Sequence, residues 1–124
     1  MAVKRFAGVK GGVESEEVSR DYEAAEQFDK LRVGALGVYF REGLRTRYLS
    51  YADFDRAFIR IQEVNGRMCC GKAVFSYFRM VFVKDGREFA DVLTEDEKAL
   101  DAALARIHER SPETAIGVAE KKDA

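Results

Sequence analysis

Two adjacent cysteines are the residues of this sequence best suited to metal binding or redox chemistry. Cys69 and Cys70 stand in the stretch NGRMCCGK, 65–72, and the chain has no other cysteine. A structural zinc site needs about four ligands, usually supplied as spaced pairs, and a redox dithiol usually has two residues between its cysteines. Neither spacing is present, so both functions are the weaker hypotheses. We expect two free thiols in a hairpin connection, with one of them directed inward as a small apolar side chain.

His108 is the single histidine of the chain and its obvious candidate for a general base. No serine, cysteine or aspartate is tied to it by a recognisable motif, and a position near the end of a predicted helix is favourable for a histidine in any case. The glycine-rich stretch GVKGGV, 8–13, lacks the ending and the preceding strand of a phosphate-binding loop. The sequence therefore predicts no catalytic residue and no cofactor, and an enzyme ranks third among the functions considered.

The basic residues are unevenly distributed, although the formal net charge is only −1. Residues 32–87 contain eleven basic and five acidic residues, whereas residues 88–124 contain five basic and ten acidic ones. A clustered basic surface receives phosphates, anionic lipid headgroups or an acidic partner helix. The candidate residues for such binding are Arg41, Arg45, Arg47, Arg60 and Arg79.

The grouping of these five arginines depends on strand geometry. Arg45 and Arg47 share one face of their strand because side chains alternate, and Arg60 and Arg79 join that face if the register of later strands allows it. The alternative is a solvated face, or one neutralised by the acidic helices of the same molecule. Replacing Arg45 and Arg47 with glutamate is expected to leave the melting temperature nearly unchanged. Nucleic acid is a weaker hypothesis, because the domain as a whole is not basic.

The length and composition of the chain indicate one ordered domain. It has 124 residues, of which 47% are hydrophobic and 35% charged, and a single proline. The longest apolar run, VGALGVYF at 33–40, is far shorter than the roughly 20 residues of a membrane-spanning helix. No apolar segment of a secretory signal follows Lys4 and Arg5. We therefore expect a cytoplasmic protein without a transmembrane segment.

The two ends of the chain have distinct patterns. Residues 1–12 are basic and contain several glycines, which is typical of a flexible arm. Residues 13–30 place an apolar stripe among seven acidic residues, and this pattern predicts an amphipathic helix. At the other end, residues 119–124 are interpreted as a frayed tail.

The middle of the chain has the pattern of an antiparallel sheet. Tight glycine turns at REG and KDG predict hairpins, and RAFIRIQEV, 56–64, alternates apolar and polar residues as a half-buried strand does. Thr94 followed by Glu97 predicts a capping box, which starts a helix over about 94–110. Its apolar face is expected to cover the sheet.

A bent antiparallel sheet with one C-terminal amphipathic helix resembles the pleckstrin-homology-like fold. The stretch YLSYADFDRAF, 48–58, is similar to the second corner of bacterial members, where a strand ends in tyrosine, turns through small and acidic residues and re-enters. The resemblance covers residues 31–118. It implies an α+β protein with a strongly bent antiparallel barrel or sandwich, a C-terminal capping helix and an added N-terminal helix. The stretches that carry it are GVYFREG (37–43), LRTRYLSYADFDRAFIRI (44–61) and MVFVKDGREFADVLTEDEKALDAAL (80–104).

Charge, motifs and resemblance together predict a non-catalytic binding or scaffolding module. Its partner is expected to be another protein or a second copy of the chain, because open sheet edges invite pairing. The alternative is a sensor of a small ligand or anion that uses the basic face or the mouth of the barrel.

Overall fold

The computed structural model describes residues 5–9, 11–68, 71–116 and 120–123, with side chains described in 5–9, 11–61 and 77–116. Most of the regular structure is β, arranged in two sheets, and the helices pack against these sheets. Neither helix of the described chain has the length and apolar character that crossing a bilayer would require.

The first sheet is built from the N-terminal half of the chain. Its strands are β1 (Arg5–Ala7), β2 (Gly12–Glu14), β3 (Glu26–Phe28), β4 (Leu31–Val33), β5 (Gly37–Glu42) and β6 (Arg45–Ser50). They lie in the order β2-β1-β6-β5-β4-β3. Neighbouring strands are antiparallel except β1 and β6, which run parallel.

The second sheet is dominated by one long hairpin. Its strands are β7 (Arg56–Met68), β8 (Gly71–Lys84), β9 (Arg87–Thr94), β10 (Ala115–Ile116) and β11 (Glu120–Asp123). They lie in the order β10-β7-β8-β9, and β11 also pairs with β7. Both β10 and β11 run parallel to β7. Asp85 and Gly86 in the β8–β9 turn have φ of 53° and 79°, so the hairpin predicted from KDG, with its type I′ turn, is confirmed.

The helices are α1 (Glu16–Ala24) and α2 (Glu97–Arg110). The N-cap of α2 is Asp96, whose carboxylate accepts a hydrogen bond of 3.1 Å from the backbone N–H of Ala99. The prediction of Thr94 as the N-cap is therefore wrong. The Thr94 hydroxyl instead accepts from the N–H of Asp96 at 3.0 Å and donates to the carboxylate of Asp29. Asp96, two residues closer to the helix than Thr94, caps the helix instead.

The main core lies between the two sheets and is closed by α2. Phe40 of the first sheet stacks on Phe82 of the second, with ring centroids 6.1 Å apart and planes inclined by 6°. Removal of this apolar surface from water is the main stabilising contribution. The other large side chains of the core are Leu31, Val33, Val38, Leu49, Phe54, Ile59, Met80, Val92, Leu100, Leu104 and Ile107.

A second, smaller core lies on the opposite face of the first sheet, under α1. It is formed by Phe6, Val18 and Tyr39, with Tyr22 and Tyr48 packed against them. Phe6 is only 1% exposed, so the interpretation of residues 1–12 as a flexible arm does not hold for β1. An aromatic side chain buried on that face gives the short strand a fixed place in the sheet.

The predicted fold class is wrong. The described strands form two mixed sheets that do not close into a barrel, and the arrangement of a barrel with a C-terminal cap and an added N-terminal helix is not present. The predicted helix at 13–30 is reduced to nine residues, because Ala25 is extended with ψ of 143° and Glu26–Phe28 pairs with β4. Two of the three described parallel pairs involve β1 and β11, which lie in segments interpreted as loose ends, and periodicity in one segment does not reveal such pairing.

Candidate anion-binding cleft

The five arginines predicted as binding residues do not form one face. Arg41, Arg45 and Arg47 lie on the β5–β6 hairpin of the first sheet, whereas Arg60 and Arg79 lie opposite each other in the second. The first three are also divided, because strand pairing places Arg47 opposite Phe40 and Arg45 opposite Glu42, on the core side of the sheet. Arg41 points to the other side, opposite Thr46.

Three of the five arginines are paired with acidic side chains of the same chain. Arg60 makes a bidentate ion pair with Glu88, with N–O distances of 3.0 and 2.6 Å, and Arg79 pairs with Asp91. Arg47 lies 3.4 Å from a carboxylate oxygen of Glu42, and its side chain is only 16% exposed. The charges of these three residues are therefore largely compensated within the molecule.

Arg41 belongs to a different group of cations around a cleft of about 540 Å³. The cleft opens between the β3–β4 turn and the β5–β6 hairpin, on the side of the first sheet that α1 covers. Among the described residues that line it, the cationic side chains are Lys30, Arg32 and Arg41, and the single carboxylate is that of Asp29. The other residues around it are Tyr22, Gln27, Tyr39, Phe40, Leu44 and Thr46.

Strand register explains why these side chains meet. Gln27 of β3 lies opposite Arg32 of β4, and Arg32 in turn lies opposite Tyr39 of β5. Directly opposed residues project from the same face of a sheet, so these three form one row across three strands. Arg41, two residues beyond Tyr39, lies on the same face opposite Thr46. The backbone thus places the polar groups of the cleft on one surface.

Arg32 is held in place by α1. Its guanidinium carbon lies 4.4 Å from the centroid of the Tyr22 ring, and its Nη1 donates a hydrogen bond of 3.2 Å to the backbone oxygen of Tyr22. Such a cation–π contact contributes about 0.5–1 kcal/mol at partly exposed sites. A guanidinium has five N–H donors, so one bond to the backbone leaves several for a ligand.

The charge balance of the cleft is positive. Lys30 and Arg41 are exposed and make no ion pair with any residue in the described part of the chain. The Asp29 carboxylate accepts the hydroxyl hydrogen bond of Thr94, and its residue has φ of 55° in the β3–β4 turn. Three cations therefore face one carboxylate that is already hydrogen-bonded.

Tyr39 lies at the base of the cleft as a neutral hydrogen-bond donor. Its side chain is fully buried, and its hydroxyl donates to the carboxylate of Asp21 at 2.7 Å. Burial, followed by this interaction with Asp21, raises the pKa of Tyr39 far above its ordinary value. The phenol stays protonated at neutral pH, so it positions α1 against the sheet and is unsuited to exchange a proton with a ligand.

The other predicted reactive residues lie away from the cleft or outside the description. Cys69 and Cys70 lie outside the described residues. His108 is exposed near the end of α2. Among the side chains that the structure describes, no three histidine, cysteine, aspartate or glutamate groups gather into a possible metal site.

Sequence reasoning missed most of the cleft. Of its three cations only Arg41 was a candidate, whereas Lys30 and Arg32 were not, and the neutral amide of Gln27 was not a candidate either. A weak signal exists in the alternation of LRV, 31–33, where Arg32 stands between two apolar residues and must face away from the core. Alternation shows the face of one strand, but it does not show which strands are neighbours.

Comparison with known proteins identifies one matching family profile. No curated protein and no solved structure matches the chain. One family profile, described as a domain of unknown function, matches residues 1–124. Since this match spans the whole sequence, the chain belongs to the DUF6709 family.

Proposed function

We propose that the chain is a non-catalytic binding module that holds a small anion in the cleft lined by Lys30, Arg32 and Arg41. The observation that carries the proposal is the convergence of three cations on a cleft in whose described lining the one carboxylate, that of Asp29, is hydrogen-bonded to Thr94. Phosphate and carboxylate groups bind such sites through short, charge-assisted hydrogen bonds. The cleft volume of about 540 Å³ is that of a small-molecule site.

The fixed position of Arg32 favours a ligand over a merely solvated surface. Stacking on Tyr22 and a hydrogen bond to its backbone oxygen hold the guanidinium before any ligand arrives. Preorganisation of this kind lowers the entropic cost of binding. By contrast, Arg60 and Arg79 face carboxylates of their own sheet and have less charge to offer.

The groups around the cleft support binding without catalysis. A catalytic site needs a matched acid, base or nucleophile in hydrogen-bond reach of a substrate. In the described lining, the phenol of Tyr39 is bonded to Asp21 and the carboxylate of Asp29 is bonded to Thr94. These groups serve the fold, and the amide of Gln27 already donates a hydrogen bond of 3.0 Å to the backbone oxygen of Asp29. The three cations are therefore the main groups of the cleft that can contact a ligand.

Protein interaction or self-association is the second candidate function. Its support is the order of the strands within the two sheets. In the described chain, β2, β3 and β9 lie at sheet edges and each pairs with a single neighbouring strand. Edge strands with free backbone groups are common sites of strand addition. Light scattering after size exclusion tests this candidate directly, and a monomer at all concentrations would remove self-association.

Calorimetric titration with inorganic phosphate, pyrophosphate, sulfate and citrate tests the anion site. The variants are Arg32→Gln and Arg41→Gln, and Arg87→Gln on β9 is the control that removes the same charge from the second sheet. Loss of a hydrogen bond to a charged group costs about 1.5–3 kcal/mol, so each cleft variant should bind about tenfold to a hundredfold more weakly.

The Arg87→Gln control distinguishes binding in the cleft from attraction by net charge. Arg87→Gln should bind like the wild type, and added salt should weaken binding of every anion. Equal weakening in Arg41→Gln and Arg87→Gln would mean that net charge, and not the cleft, attracts the anion. No binding of any of the four anions would remove the proposed function.

A further inference from the structure

The β5–β6 hairpin ends in an apolar side chain that projects into solvent. Leu44 is 95% exposed, against 38–45% for the other exposed large hydrophobic side chains that the structure describes. It follows Gly43, whose φ of 62° makes the tight turn. A leucine this exposed contributes almost nothing to the packing of its own chain, so burying it against another surface would gain apolar burial without breaking an internal contact.

Cations lie on both sides of this apex. Arg41 projects from one face of the hairpin and Arg45 from the other. Leu44 lines the anion cleft on one side and a second cleft of about 400 Å³ on the other, which Arg5 and Arg45 also line. Of these cations, Arg5 lies 3.7 Å from Glu14, whereas Arg41 and Arg45 have no ion-pair partner among the described residues.

A flat anionic surface that meets the hairpin end-on fits this arrangement. Because Arg41 and Arg45 point to opposite faces, a groove that holds one face of the hairpin leaves the other arginine in solvent. A plane across the apex reaches both arginines and Leu44 together. A bilayer with anionic lipids also accepts an apolar side chain at the headgroup boundary without a preformed pocket.

We propose that the β5–β6 hairpin attaches the protein reversibly to an anionic lipid surface. Leu44 enters the boundary between headgroups and acyl chains, and Arg41, Arg45 and Lys30 contact the lipid phosphates. The proposal rests on the proposed function in one respect, since Lys30 and Arg41 also line the anion cleft. A single apolar anchor with a few cations gives weak attachment that salt reverses.

The chain contains no tryptophan, so Leu44→Trp places one fluorescent reporter at the apex. Vesicles of phosphatidylglycerol and phosphatidylcholine should shift its emission to the blue, and vesicles of phosphatidylcholine alone should not. Leu93→Trp on β9 is the matched control, because Leu93 is 38% exposed in the second sheet. Its emission should stay constant in both vesicles.

Sedimentation with the same vesicles tests the native side chain. Leu44→Ser should partition onto anionic vesicles about tenfold more weakly than the wild type, since the burial of one leucine is lost. Equal sedimentation of the two proteins would overturn the proposal, because charge alone would then explain attachment. A response to polyglutamate without one to vesicles would also overturn it, in favour of an acidic protein surface.

Titration with soluble glycerol phosphate separates this inference from the anion cleft. Binding of glycerol phosphate without attachment to vesicles would overturn the lipid inference and leave the proposed function intact. Attachment that depends on Leu44, without binding of glycerol phosphate, would support the lipid surface and count against the cleft as a site for small anions. If the protein neither attaches to vesicles nor binds glycerol phosphate, the lipid inference and the proposed function are both overturned.

Discussion

The hydroxyl of Tyr39 and the carboxylate of Asp21 are joined by a hydrogen bond of 2.7 Å, which ties β5 to α1 beneath the cleft. The same carboxylate accepts from the backbone N–H groups of Ala35 and Leu36, at 2.8 and 3.0 Å. One side chain thus connects the helix, the strand and the β4–β5 turn. The helix in turn carries Tyr22, so the position of Arg32 in the cleft depends on this connection.

Stability should fall at alkaline pH because of Tyr39. Burial raises its pKa in the folded protein above the ordinary value of 10.0, so between these values the unfolded chain has lost a proton that the folded chain keeps. The contribution to stability is complete below about pH 10 and is lost as the pH rises above it. Tyr39→Phe should show a shallower decline in the free energy of unfolding above pH 10, measured by urea unfolding. Parallel declines in both proteins would contradict this role.

Gly37→Ala should be more destabilising than Gly34→Ala. A Cβ at Gly37 would lie 2.1 Å from the backbone oxygen of Leu49, and the paired strand would have to move. A Cβ at Gly34 would lie 2.3 Å from Oδ2 of Asp21, which is the end of a side chain. Overpacking costs about 1–3 kcal/mol, and we expect Gly37→Ala at or above the upper end. Thermal unfolding of both variants measures the order, and the reverse order would show that the Asp21 connection is the more rigid.

Charge reversal should separate Arg45 from Arg47. Arg45→Glu should cost less than about 1 kcal/mol, because the new carboxylate would lie opposite Glu42 but would be exposed to solvent. Arg47→Glu should cost about 1–3 kcal/mol, because Arg47 is 16% exposed and the new carboxylate would face Glu42. This differs from the expectation that both reversals leave the melting temperature unchanged. Similar melting temperatures for the two single variants would contradict the burial of Arg47.

The side chains of Thr94 and Asp29 should be energetically coupled. The Thr94 side chain is 1% exposed, and its hydroxyl links the β3–β4 turn to the start of α2. Thr94→Val should cost about 1–3 kcal/mol, because it leaves two hydrogen-bonding groups without their partner. Asp29→Asn retains a residue type that tolerates positive φ, and a double-mutant cycle with Thr94→Val should give a nonzero coupling. Additive effects would show that the two side chains act independently.

Several local features could be predicted from the sequence. The β8–β9 hairpin follows from KDG, because glycine and aspartate adopt positive φ more easily than other residues. Ala57 and Ile59 are buried as the alternation of their strand indicates. The second helix ends at Arg110, just before the serine and proline that stop it. These features depend on the conformational preferences of a few neighbouring residues.

The pairing of distant segments could not be predicted in this way. The strands β1 and β3 have three residues each, too few for a recognisable period, and they exist because β6 and β4 provide partners. The same holds for β10 and β11 beside β7. The resemblance to the pleckstrin-homology-like fold implied a barrel of antiparallel strands, whereas the protein adds nonlocal parallel neighbours to its local hairpins.

By itself the sequence determined the glycine turns, the C-terminal end of the second helix and the inward faces of the longer strands, since short-range sterics and side-chain alternation decide these. Only the tertiary structure decided the two-sheet architecture and the cleft of Lys30, Arg32 and Arg41. The physical reason is that register between strands depends on which apolar faces bury each other across the whole chain. That register places three cations on one surface and pairs Arg60 and Arg79 with carboxylates on another.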